Sequence, residues 1–114
     1  MIGERLLVVD DDESNRVTLA ALLESEGYVV DESADCDDAL RRITQGEYAA
    51  VILDWRLGAR SGAELVAPIR AHQPAARILV VTGSDTLEAH AIGVDAVGTK
   101  GESFETTLHR LRTT

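Results

Sequence analysis

Acidic, hydroxyl and ammonium groups directly follow the short apolar runs of this 114-residue chain, and their types suggest a common chemistry. In chain order these groups belong to Asp10, Asp11, Asp12, Asp54, Thr82 and Lys100. Carboxylates placed close together repel one another unless a cation neutralises them. Oxygen ligands without nearby histidine or cysteine favour a hard ion, and Mg²⁺ needs only a few carboxylates plus water. A hydroxyl and an ammonium opposite the acids would hold an anion, such as a phosphoryl group, beside that metal.

These groups can meet only if the elements that carry them end side by side. Five short runs, near residues 6–9, 28–31, 49–53, 78–81 and 96–99, alternate with five segments of helical period. Strict alternation predicts an α/β fold with a five-stranded parallel sheet and helices on both faces. Runs such as LLVV and ILVV are apolar at every position, as in strands buried on both faces. Functional groups of such sheets gather beyond the carboxyl ends of the strands, so the groups converge if the first, third and fourth strands are central.

The helices have recognisable signals at their ends. Ser14 is a plausible cap for the first helix, and Gly27 ends it. The third helix is predicted at residues 63–71, where Pro68 either kinks it or displaces its start. A short fourth helix is predicted near residues 85–92.

Composition limits the kind of protein this is. The length suits one domain over residues 1–114, and a hydrophobic share of 45% is ordinary for a globular chain. A formal charge of −9 makes direct binding to nucleic acid or to anionic lipid unfavourable. The single cysteine, Cys36, cannot form an internal disulfide, and no apolar run approaches the length of a membrane span. The expectation is a cytoplasmic domain without a membrane or nucleic-acid partner.

The segments LLVVDDDESNR, VILDWRLGARSG, ILVVTG and Thr99-Lys100 resemble the four site motifs of a response-regulator receiver domain, the CheY-like family. The resemblance covers nearly the whole chain, and the four motifs occur in the right order, each at a strand end. It implies a flavodoxin-like sheet with strand order 2-1-3-4-5. It also implies a phosphoacceptor signalling domain of a two-component or phosphorelay system, which is a regulatory domain and not an enzyme.

The resemblance further implies a role for each matching residue. Asp54 would be the phosphoacceptor, attacking the phosphorus of a phosphohistidine on a sensor histidine kinase or a histidine phosphotransfer protein. Thr82 and Lys100 would bind oxygens of the phosphoryl group. The implied Mg²⁺ site consists of Asp10, Asp11, Asp54 and the backbone carbonyl of Arg56. The product is an acyl phosphate that water hydrolyses, so the domain would dephosphorylate itself.

Three features depart from the family pattern. Gly101 follows Lys100 where many receivers have proline, so the cis peptide bond often associated with that proline is not expected. Val97 occupies a position where the family usually has tyrosine or phenylalanine, so the aromatic switch is missing. Thr82 and Lys100 are only 18 positions apart, which predicts a shortened fourth helix and an altered output surface.

Other interpretations of the same residues remain open. Asp10 and Asp11 could simply cap the first helix, and Asp12 is either a cap or a solvated charge. Trp55 is either the aromatic found beside the acceptor in some receivers or a partly exposed packing residue.

At the level of function, a degenerate receiver could serve as a constitutive interaction domain. A phosphatase of the haloacid-dehalogenase type is a further alternative, but that class requires a second acid at the position that Arg56 occupies here. The segment Gly3-Glu4-Arg5 resembles the junction before the terminal receiver of hybrid histidine kinases, and this favours a piece of such a kinase over a stand-alone receiver.

Overall fold

A computed structural model of the chain describes residues 3–83, 89 and 92–114, in which five parallel strands form one sheet. The elements in chain order are β1 (Arg5–Val9), α1 (Glu13–Ser25), β2 (Val29–Ser33), α2 (Cys36–Gln45), β3 (Ala50–Asp54), β4 (Arg56–Leu57), β5 (Arg60–Ser61), a 3₁₀ turn (Gly62–Leu65), α3 (Val66–His72), β6 (Arg77–Thr82), β7 (Ala96–Thr99) and α4 (Phe104–Thr113). The sheet order is β2-β1-β3-β6-β7, with β4 and β5 forming a separate hairpin. The predicted fold class and the order 2-1-3-4-5 are therefore confirmed.

The central strands are buried on both faces because their side chains alternate between two apolar clusters. Leu7 and Val9 of β1 face one cluster, whereas Leu6 and Val8 face the other. All five residues of β3 are buried, as the uninterrupted apolar run predicted. This double burial fixes the register of the sheet, since a slip of one residue would exchange the two faces.

The first helix begins differently from the sequence prediction. Asp12, and not Ser14, is the N-cap, because the Asp12 side chain accepts a hydrogen bond from the backbone N–H of Asn15. Of the two interpretations of Asp12, a cap or a solvated charge, the structure confirms the cap. The predicted cap at Ser14 is wrong because the helix has already started at Glu13.

Pro68 displaces the start of the third helix, which was one of its two predicted effects. A 3₁₀ turn occupies Gly62–Leu65, and the α-helix then begins at Val66. Proline therefore lies in the first turn of α3, where its missing N–H would have had no helical partner. The Ser61 side chain and Glu64 form a capping box at the start of the 3₁₀ turn.

Three further expectations concern the fourth helix, the peptide bond after Lys100 and a membrane span. The predicted short helix near residues 85–92 lies mostly outside the described residues. Among the described residues no peptide bond is cis, as the glycine after Lys100 predicted. No helix in the described ranges is long and apolar enough to cross a bilayer.

A buried glutamine holds together the ends of two helices on one side of the sheet. Gln73 is 8% exposed, and its amide oxygen accepts the backbone N–H of Tyr48 at 2.6 Å. Its amide nitrogen donates to the carbonyl oxygens of Ile43 and Gly46, both at 2.7 Å. One side chain thus satisfies three backbone groups between the last turn of α2 and the start of β3.

We expect Gln73→Leu to lower the free energy of unfolding by about 3 kcal/mol, because three backbone groups would lose their partners. Urea unfolding followed by circular dichroism measures the change. Gln45→Leu is the matched control, since Gln45 is exposed at the end of α2 and its replacement should change stability by less than about 0.5 kcal/mol. Equal effects of the two substitutions would contradict the assignment.

Candidate functional site

Asp54 is the buried centre of the candidate site. It is the last residue of β3 and only 5% exposed. Its Oδ2 accepts a hydrogen bond from Lys100 Nζ at 2.8 Å, and its Oδ1 accepts the backbone N–H of Arg56 at 3.2 Å. The carboxylate is therefore held in one orientation at the carboxyl edge of the sheet, with a cation against one of its oxygens.

Two more acids from the end of β1 lie beside Asp54. The carboxylate oxygens of Asp10, Asp11 and Asp54 lie within 4.8 Å of one another. Asp10 Oδ1 accepts the Asp12 N–H at 2.9 Å, and Asp11 Oδ2 accepts the Gly58 N–H at 3.0 Å.

The register of the sheet explains why the three carboxylates lie close together. Val9 pairs with Leu53, so β1 and β3 end at the same level. This arrangement unites the three acids that the sequence predicted as metal ligands.

The site carries unbalanced negative charge. Burial raises the pKa of the Asp10 carboxyl, and the charge of Asp54 raises it further, against the opposing effects of the Asp12 N–H and of Lys100. Burial lowers the pKa of Lys100, but the hydrogen bond and negative charge of Asp54 outweigh it, so this pKa lies above its ordinary value. The negative charge of Asp54 contributes to both shifts, since it disfavours a second carboxylate and favours the ammonium beside it.

Thr82 and Lys100 come from the ends of the next two strands. Asp54 pairs with Val81 across β3 and β6, so Thr82 lies one residue beyond the level of Asp54. Thr82 pairs with Thr99, and its carbonyl oxygen accepts the backbone N–H of Lys100 at 3.0 Å. Thr82 is 1% exposed. Its contact with a phosphoryl oxygen, implied by the resemblance, stays a prediction.

A hairpin after Asp54 contributes to the site, and the sequence analysis missed it. Leu57 pairs with Arg60, which leaves Gly58 and the next residue as a two-residue turn. Gly58 has φ +64°, and a glycine at the first position of such a turn is typical of type II′ hairpins. The turn places the Gly58 N–H against Asp11. The only signal for this hairpin in the sequence was Gly58, because β4 and β5 have two residues each and are too short for a recognisable strand pattern.

The burial of Trp55 contradicts one of its two interpretations from the sequence. It is 1% exposed and packs in the apolar cluster on one face of the sheet, so it is not a partly exposed packing residue. Its indole Nε1 is buried without a hydrogen-bond partner among the described residues. Trp55 is the only tryptophan and directly follows Asp54, so its fluorescence will report on the site.

A cavity of about 280 Å³ adjoins the acids and lies between the strand ends, α1 and α4. Its polar lining includes Asp10, Asp54 and Lys100, and its apolar lining includes Leu19 and Phe104. The Asp54 carboxylate therefore lies beside a recess and is not sealed inside the protein.

The donor set fits a hard divalent cation. All three candidate side-chain ligands offer carboxylate oxygens, and their spacing allows one ion to contact them together. Mg²⁺ suits such a set because it binds a few carboxylates and keeps water for the remaining positions.

Comparisons with known proteins agree with this geometry. The family model of the response regulator receiver domain matches residues 6–111. The transcriptional regulatory protein DltR of Streptococcus agalactiae is 35% identical over 112 residues, which are 95% of this chain and 50% of DltR. The chain thus spans about half the length of this curated relative.

Two solved structures are similar along nearly the whole chain. A response regulator from Burkholderia pseudomallei, described with a phosphorylated aspartic acid, a calcium ion and citrate, is 36% identical with a TM-score of 0.88. The match covers 96% of this chain and 67% of that one. The response regulator TrrA of Thermotoga maritima, in complex with Mg²⁺-BeF, is 29% identical with a TM-score of 0.86 and covers 96% of both chains.

Proposed function

We propose, for a chain that belongs to the response regulator receiver domain family, that Asp54 is the residue that accepts the phosphoryl group. The observation that carries the proposal is the position of its carboxylate, buried at a strand end within 4.8 Å of two other acids and 2.8 Å from Lys100. A phosphoacceptor signalling domain of a two-component system needs a nucleophilic carboxylate, a metal site and a cation for the phosphoryl oxygens. The described residues supply candidates for all three.

The proposed reaction is an in-line transfer from phosphohistidine. An oxygen of Asp54 forms the new bond to phosphorus while the nitrogen–phosphorus bond of the donor breaks, and the imidazole nitrogen keeps that electron pair. Bound Mg²⁺ would neutralise charge on the phosphoryl oxygens, held by Asp10, Asp11, Asp54 and the Arg56 carbonyl. Lys100, already against Asp54, moves its hydrogen bond to a phosphoryl oxygen, and the Thr82 hydroxyl binds another. Attack by water on the acyl phosphate restores the free carboxylate and releases inorganic phosphate.

The proposed donor is a sensor histidine kinase or a histidine phosphotransfer protein. The expectation that nucleic acid is no direct partner gains no support, because curated relatives are named transcriptional regulatory proteins. We propose only that residues 1–114 form one receiver domain whose acidic site meets a protein donor. The placement of this domain in a hybrid histidine kinase stays a prediction.

Incubation with acetyl phosphate tests the proposal, with intact-mass spectrometry as the readout. We expect a mass increase of one phosphoryl group in Mg²⁺ and none in excess EDTA. Absence of the increase at every Mg²⁺ concentration would instead support the degenerate receiver, an alternative favoured by the buried Val97 in place of the family's aromatic residue. The dehalogenase-type alternative is excluded by the family to which the chain belongs.

Mg²⁺ should raise the melting temperature of the protein, because an ion bound only by the folded state stabilises it. The gain is about 2.7 kcal/mol when the free ion is at 100 times its dissociation constant. We expect Asp11→Asn to abolish most of this gain. Asp12→Asn is the matched control, since asparagine also caps a helix while removing one charge from the same run. Differential scanning fluorimetry with and without Mg²⁺ measures both, and an equal loss of the gain in the two variants would contradict the assignment.

A further inference from the structure

Lys100 lies in a tight turn whose shape depends on the residues after it. The Glu102 N–H donates to the carbonyl oxygen of Thr99 at 3.3 Å, which makes Lys100 and Gly101 the central residues of a four-residue turn. Gly101 has φ +92°, the conformation that the third position of a type II turn requires. The path of the Lys100 backbone is therefore set at one end by β7 and at the other by Glu102.

Glu102 is in turn fixed to the last helix. Its Oε1 accepts Arg110 Nε at 3.2 Å and its Oε2 accepts Arg110 Nη2 at 3.3 Å, so the pair is bidentate. The Thr107 hydroxyl also donates to Oε1, at 3.4 Å. The Glu102 side chain is only 11% exposed, in contrast to 38% for Glu26, which pairs with Arg112 on the same helix. A bidentate, partly buried ion pair fixes the orientation of the Glu102 carboxylate as well as its distance from Arg110.

The space for this carboxylate exists because residue 98 is glycine. A Cβ atom built on Gly98 would lie 2.4 Å from Glu102 Oε1 and 3.3 Å from Arg110 Nε. Glycine inside a strand weakens it and marks a site where another group approaches closely. Here the approaching group is the Glu102 carboxylate, which lies against the backbone of β7 one residue before Thr99.

We propose that Glu102 is a positioning residue for Lys100, and that its ion pair with Arg110 in the space left by Gly98 fixes the Lys100-bearing turn against Asp54. The inference rests on the proposed role of Asp54 and Lys100 in phosphoryl acceptance. A lysine is a point charge on a flexible four-carbon stem, so its charge acts on a phosphoryl group only where its backbone is held. A turn with glycine after the lysine lacks the rigidity of proline, and the link to α4 supplies it.

The test uses the fact that Lys100 is the only lysine in the chain. Protein labelled with ¹³C-lysine gives one side-chain ¹³Cε signal, whose position at fixed pH reports the contact of the ammonium with Asp54. The Asp54→Ala variant supplies the reference position for Lys100 without its contact to Asp54. This readout needs no phosphate, so it separates failure of the inference from failure of the proposed function.

Two variants break the pair in different ways. Glu102→Gln removes the charge, whereas Gly98→Ala keeps both charges and displaces the carboxylate. Glu26→Gln is the matched control, because it breaks the more exposed ion pair that Arg112 makes in the same last turn of α4. We expect both test variants, but not the control, to shift the Lys100 signal toward the reference and to slow phosphorylation by acetyl phosphate about tenfold.

The outcomes differ between a positioning role and a merely structural one. A lower melting temperature with an unchanged Lys100 signal and unchanged phosphorylation rate would overturn the inference. Restoration of the signal and of the rate by the exchanged pair Glu102→Arg with Arg110→Glu would support it, since the link is then re-formed with opposite polarity. If the wild-type protein accepts no phosphate, the proposed function fails, and the lysine signal alone decides the positioning role.

Discussion

We expect an Asp54→Ala variant to take up no phosphate from acetyl phosphate at any Mg²⁺ concentration, and the wild-type protein to gain one phosphoryl group. The expected effect is total because the substitution removes the proposed nucleophile itself and not a group that assists it. It also removes the partner of Lys100, whose ammonium then lies beside Asp10 and Asp11 without a carboxylate 2.8 Å away. Intact-mass spectrometry of the two proteins, followed by peptide mapping of the wild type, measures the result.

The neighbouring acids make this prediction demanding. Asp10 and Asp11 have oxygens within 4.8 Å of those of Asp54, so either could accept phosphate if proximity alone decided the site. Asp54 differs from them by its deeper burial and by its hydrogen bonds to Lys100 and to the Arg56 N–H. Phosphate uptake by Asp54→Ala would move the acceptor to one of these acids. The Asp12→Asn variant, which changes an acid outside the cluster, should behave as wild type.

The carboxyl-edge rule predicted most of the site from the sequence alone. Parallel strands end on one edge, so the residue types after residues 9, 53, 81 and 99 determined which groups would meet. The structure brings Asp10, Asp54 and Lys100 together as the rule predicts. Strand type and order could be predicted because a strand buried on both faces leaves a continuous apolar run in the sequence.

Contacts that depend on the three-dimensional path of the chain could not be predicted from the sequence in this way. The burial of Trp55 depends on the path of the chain after β3, which no local pattern encodes. The choice of Asp12 over Ser14 as the cap depends on where the chain leaves β1. The pair of Glu102 and Arg110 joins residues eight positions apart across a turn, and its room comes from a glycine in the preceding strand. Each of these depends on distances that arise only after the sheet has formed.

Gly62 lies so close to the backbone of Asp54 that the structure leaves no room for a side chain there. A Cβ atom built on Gly62 would lie 2.3 Å from the carbonyl oxygen of Asp54 and 3.2 Å from the Leu53 Cγ. The obstructing atom belongs to the backbone of β3, so it cannot rotate away as a flexible side chain would. Gly62 also donates its N–H to the Trp55 carbonyl at 2.8 Å, which holds the two segments together. Its φ is not left-handed, so steric contact alone forbids alanine here.

We therefore expect Gly62→Ala to lower the free energy of unfolding by about 3 kcal/mol, because β3 or the hairpin must move to admit the methyl group. The same movement displaces Asp54, and we expect phosphate uptake to slow at least about tenfold in the protein that remains folded. Gly83→Ala is the matched control, since no described atom lies within 4 Å of its added Cβ and its φ is not left-handed. Urea unfolding and the acetyl phosphate assay measure both variants. Wild-type behaviour of Gly62→Ala would mean that the backbone of Asp54 is free to shift without loss, which contradicts a rigidly held acceptor.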